Sequence, residues 1–105
     1  MKYRKNKLHF KLCKSSVKWI HTFSNEPIWL YSELGDMRWE IRKVYMFPDG
    51  VFEYAGPNGN NGSTLLSFEP IPTLKEIASD PQFIANEISV DEFENVWKEA
   101  LSQKL

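Results

Sequence analysis

The chain has 105 residues, 42% of them hydrophobic and 14% aromatic, and a formal net charge of −1. This is enough apolar surface for one core and too little length for two, which excludes a disordered chain and a second domain. No run approaches the roughly 18 apolar residues of a membrane helix, and the single cysteine, Cys13, excludes an internal disulfide.

The lysine-rich start lacks the apolar stretch of a secretory signal, so a cytoplasmic location is expected. With only His9 and His21 as nitrogen ligands, a zinc site would need carboxylates for the rest; neither a metal nor another cofactor is expected. The small net charge hides a division. Residues 1–18 carry seven basic side chains and no acid, whereas the remainder has six basic and fourteen acidic ones. Residues 1–16 read as a basic leader, either disordered or an edge strand through the alternation in KLHFKL, and 17–105 as a single α+β domain. Such a leader could contact nucleic acid, but its poor periodicity argues against that role. Cys13 lies between Lys11 and Lys14, with no Asn or Asp nearby to complete a nucleophilic arrangement.

From Val17 the pattern turns strand-like. VKWIHT and EPIWLYSEL, joined by the turn residues FSNE, predict a hairpin, with Pro27 at a strand start where a missing N–H does least harm. RWEIRKVYMF predicts a strand over 38–47. Trp39, Ile41, Tyr45 and Phe47 share its apolar face, interrupted by Lys43, and Arg38, Glu40 and Arg42 share the other. Pro48, Asp49 and Gly50 then predict a tight turn that pairs 38–47 with 51–55. AGPNGNNGST reads as a mobile surface connector, because no Gly-Lys-Ser/Thr follows that would make it a phosphate cradle. LLSFEPIP suggests a last edge strand, stopped by Pro70 and Pro72.

The final third changes period. Thr73 with Glu76, Ser79 with Gln82, and Ser89 with Glu92 fit the capping box, predicting helices over 73–78, 80–86 and 90–103. The third places Val90, Phe93, Trp97, Ala100 and Leu101 on one face, where it should cover the sheet, and Glu94 four residues before Lys98 on the other. Strands first and helices last predict an α+β fold: an antiparallel meander of about four or five strands packed against C-terminal helices.

His21, Glu40 and Arg42, with Glu33 and Glu53, form the best enzyme constellation. A base, an acid and a guanidinium would suit phosphodiester cleavage, so a small hydrolase or RNase is one reading. Alternating charges on a solvated sheet face explain the same residues more simply. Glu76, Asp80, Glu87, Asp91, Glu92 and Glu94 are suited either to helix N-termini or to a surface that mimics nucleic-acid charge.

The words VKWIH, EPIWLYSELGD, RWEIRKV, PDG, PIPTLKEI, DPQF, EIS and FENVWKEA, in this order over residues 17–101, resemble a small bacterial family of unknown function. The basic arm 1–16, Gly35 and Met37 depart from its pattern. Its members are similar in size and acidity to immunity proteins of bacterial toxin systems, including contact-dependent growth inhibition. The resemblance implies a non-enzymatic protein that binds a cognate toxin domain, with a nuclease the expected target, by masking its active or docking site. Neither a membrane, a nucleic acid nor a small molecule is the expected partner. Trp29, Tyr31, Glu33, Arg38, Glu40, Arg42 and Glu53 are the candidate partner-binding residues, rings serving as anchors and acids matching a basic cleft.

Overall fold

Strands β1 (Cys13–Trp19), β2 (Trp29–Leu34), β3 (Glu40–Met46), β4 (Phe52–Gly56) and β5 (Gly59–Asn60) follow one another as a meander. Strand β6 (Phe83–Glu87) returns to the free side of β1, giving an open sheet of order β5-β4-β3-β2-β1-β6 in which every pairing is antiparallel. The helices are α1 (Leu74–Ala78) and α2 (Val90–Ser102). The computed structural model describes residues 13–103. The expected α+β class is observed, with six strands rather than four or five.

Strand β1 reaches back to Cys13, so residues 13–16 of the expected leader lie in the sheet, flanked by β2 and β6. The leader's residues 1–12 lie outside the described residues. The first hairpin forms with a longer connection than read, residues 20–28, whose ends are joined by Trp19 N–H donating to Ile28 C=O at 2.9 Å. The second forms around Pro48, Asp49 and Gly50. Gly50 takes a φ of 86°, which an L side chain rarely adopts, while Asp49 Oδ1 accepts from Val51 N–H at 3.0 Å.

Three local expectations fail, each for a physical reason. The segment 80–86 is not a helix. Asp80 uses its side chain to accept from Gln82 N–H and its carbonyl to accept from Phe83 N–H, turning the chain so that FIANE runs along β1. The segment 65–72 adds no strand; its prolines limit main-chain pairing to single points such as Ile71 N–H donating to Arg38 C=O. The connector 55–64 contains the short β4–β5 hairpin, with Gly59 at a φ of 126°.

The two remaining caps form. Thr73 and Glu76 make the full reciprocal box at α1, and Ser89 Oγ accepts from Glu92 N–H at the start of α2. Helix α2 lays Val96, Trp97 and Ala100 against Val44 and Phe52, and buries Phe93 beside Trp97 and Arg42. Phe93 and Val44 are fully buried, and each such side chain contributes about 1.5–3 kcal/mol. Val90 and Leu101, expected on the same stripe, are exposed at the two ends of the helix.

The other sheet face is covered by the irregular segment 61–73 and by α1. The two faces are divided by a bulge. Glu33 pairs with Arg42 but Leu34 pairs with Glu40, leaving Ile41 as the extra residue in β3. Arg42, Val44 and Met46 therefore face α2, and Glu40 joins Lys43 and Tyr45 on the opposite face. This corrects the expected strand faces, in which Glu40 and Arg42 were together and Val44 was not in the core.

Candidate functional site

On the face away from α2, cross-strand register aligns Ser15, Ser32 and Lys43 in one row across β1, β2 and β3. Glu40 joins the row because of the bulge. Its carboxylate accepts from Lys43 Nζ at 3.0 Å, Ser67 N–H at 2.8 Å and Ser32 Oγ at 3.1 Å. Lys43 also donates to the Tyr45 hydroxyl at 3.1 Å. Burial acts against the Lys43 charge, but Tyr45 and Glu40 outweigh it and hold the ammonium above its ordinary range. These groups floor a groove of about 650 Å³, walled by Val17, Leu30, Ile71, Ile77 and Phe83, with Glu76 and Asp80 also lining it.

At one end of the molecule, Asp36–Arg38 form a single 3-10 turn in which Met37 and Arg38 both have positive φ, 54° and 64°. Non-glycine residues held there cost on the order of 1–3 kcal/mol each. Gly35 N–H donating to Trp39 C=O at 2.8 Å closes the turn, and Arg38 anchors it by donating to Ile71 C=O and Pro72 C=O, both at 2.8 Å. With Ser67 tied to Glu40 and Ile71 to Arg38, the segment 67–71 is held alongside 38–40. Met37 and Phe68 are 77% and 83% exposed, and Trp39 is 46% exposed. Asp36 and Glu69 are exposed beside them.

The helix-facing side holds a different network. Glu33, buried, accepts from Arg42 at 2.6 and 3.0 Å and pairs with Lys14 at 3.5 Å. Arg42 reaches on to Glu94 of α2 and lies over the rings of Phe93 and Trp97 at 4.9 and 5.0 Å. The Glu33 hydrogen bond first, and then Glu94, holds the guanidinium charged against burial; Arg42 in turn holds the Glu94 carboxyl below its ordinary range. Trp29 and Tyr31 stack at 6.0 Å on this side. Burial, then Glu92 and Glu99 of α2, pushes the Tyr31 phenol up.

The expected partner-binding residues thus divide among several structural tasks. Glu33 and Arg42 join the sheet to α2, Tyr31 packs in the core cluster, and Trp29 carries Lys18 over its ring at 5.7 Å. Arg38 anchors the 3-10 turn, Glu40 is in the groove floor, and Glu53 accepts from Thr64 Oγ1 to hold the loop beyond β5. The enzyme constellation does not assemble. Glu40 and Arg42 are on opposite faces, and His21 sits in the β1–β2 connection with both ring nitrogens engaged. Its Nε2 donates to Pro27 C=O at 2.8 Å and its Nδ1 accepts from Phe23 N–H at 2.9 Å. Among the described residues, no three His, Cys, Asp or Glu side chains gather to hold a metal ion, and no helix is long and apolar enough to cross a membrane.

Sequence reasoning missed Ser15, Ser32, Lys43 and Ile77, which line the groove. Lys43 was legible as the one charge interrupting an apolar strand face; the serines carry no local signal. No curated protein and no solved structure matches the chain. A family model matches residues 15–102, nearly the whole of the described sheet and helices, and the chain accordingly belongs to the family named Domain of unknown function (DUF6881).

Proposed function

We propose that this protein is a non-enzymatic binding protein that neutralises a cognate bacterial toxin, with a nuclease the expected target, by masking its active or docking site. The observation that carries the reading is the end formed by Met37, Trp39 and Phe68. Large apolar side chains stand in solvent, Met37 on a backbone of positive φ, with Asp36 and Glu69 beside them. An exposed apolar patch with acids at its margin suits a basic protein surface, apolar contact supplying affinity and charge supplying speed and register. Trp39 and Phe68 replace Trp29 and Tyr31 as the anchors of this interface. A contact of roughly 800 Å² per partner would be of standard size.

The hydrolase reading has less support, because His21, Glu40 and Arg42 are separately engaged in internal hydrogen bonds. The test is co-expression with a candidate nuclease toxin domain, chosen from any large secreted effector found in a neighbouring reading frame. The expected result is a stoichiometric complex that forms more slowly as salt rises and protects cells from the toxin. Absence of both complex and protection would refute the proposal.

A further inference from the structure

The groove on the sheet face away from α2 holds one polar group that the fold leaves unused. Ser15 lines the groove, and its hydroxyl, which makes no hydrogen bond among the described residues, is open to the groove rather than sealed off, since none of their buried side-chain oxygens is left without a partner. Ser32, directly opposite in register, is by contrast already bonded to Glu40. Lys43 points the same way: its ammonium has three N–H donors, of which Glu40 and Tyr45 take two. The acceptor capacity nearby is used differently, since Glu40 already receives three donors. The groove floor therefore offers donors, and the walls beside it are Val17, Leu30, Ile71, Ile77 and Phe83.

We infer that this groove is a binding site for an uncharged, mostly apolar small molecule that ends in a hydrogen-bond acceptor such as an amide carbonyl, received by Ser15 and Lys43. The volume of about 650 Å³ is that of a small-molecule site. Charge selects against an anion. Glu40 neutralises Lys43 at 3.0 Å, whereas Glu76 and Asp80 add negative charge to the lining. Hydrogen bonds from Thr73 hold the Glu76 carboxyl below its ordinary range, so it stays ionised at neutral pH. This site is separate from the Met37, Trp39 and Phe68 end and does not depend on the toxin-binding reading.

A matched pair of probes tests it: 4-phenylbutanamide and 4-phenylbutanoate, titrated into the full chain and followed through backbone amide shifts. The amide should move the signals of Ser15, Ser32 and Lys43 and bind about fivefold or more tightly than the carboxylate; Ser15→Ala should weaken the amide by a similar factor. Ile77→Glu, a change on the partly exposed helix wall, should abolish binding of both while the spectrum stays folded. Equal or tighter binding of the carboxylate, no shift at groove residues with either probe, or undiminished amide binding by a folded Ser15→Ala protein would overturn the inference.

Discussion

Arg42 on β3 grips Glu33 on β2 through two parallel hydrogen bonds of 2.6 and 3.0 Å, and the carboxylate it grips is almost entirely out of solvent. A buried ion pair is weak evidence of net stability, but breaking one leaves a desolvated charge behind. Arg42→Ala should therefore destabilise the protein by about 3 kcal/mol, a little offset by Lys14 at 3.5 Å from the same carboxylate. Glu94→Gln removes a partner that is a third exposed and should cost less than about 1 kcal/mol. Urea unfolding of the two variants gives the comparison; equal midpoints would show that Glu33 is not the group that needs Arg42.

Thr73→Ala removes a cap that serves a five-residue helix, which cannot hold together by hydrogen bonding alone. The expected cost is about 1 kcal/mol. Because α1 walls the groove, the loss should appear as faster amide exchange at Leu74–Ala78 before it appears in global unfolding.

Alkaline stability should fall in a window set by two groups. Tyr31 has a raised phenol pKa and Lys43 a raised ammonium pKa in the folded protein. For Tyr31, the unfolded chain ionises first, so stability drops as pH rises past the ordinary tyrosine value of about 10. For Lys43, the contribution is complete below the unfolded value and is lost as pH rises through the higher folded one. Both act in the same direction, and Tyr31→Phe should flatten the decline above about pH 10 in thermal melts. At the acid end, Glu94 and Glu76 have lowered pKa values, so their contribution is present above the ordinary carboxylate range and lost as pH falls through the folded values.

Met37→Gly should make the protein more stable, by up to about 1 kcal/mol, because a glycine accepts the positive φ without strain. The same change should weaken the toxin complex proposed above. Phe68→Ser should leave the melting temperature within a degree or two, given its 83% exposure, and also weaken the complex. Full affinity in both variants would move the interface elsewhere.

Much of the fold was legible because its signals are local. Pro48-Asp49-Gly50 presets a turn by itself, and the Thr73 and Ser89 caps need only residues three positions away. Strand β6 was not legible, since Ser79 and Gln82 imitate a helix start and only the open side of β1 decides against it. The bulge at Ile41 has no local signature; its cause is the mismatch between the pairings of Glu33 and Leu34 across the sheet. That one extra residue put Glu40 with Lys43 and Tyr45 instead of with Arg42. The groove was illegible for a further reason: its roof is a proline-bearing segment about thirty residues away in sequence, tied down at Glu40 and Arg38.

The bulge also separates two kinds of inheritance within one strand. Residues after Ile41 that face α2 are constrained by the helix they must fit, and substitutions there are paid for in folding. Those that look the other way line the groove, and Glu40 among them also ties down its roof. Ser15 and Ile77 can therefore change with little consequence for the helix interface on the opposite face.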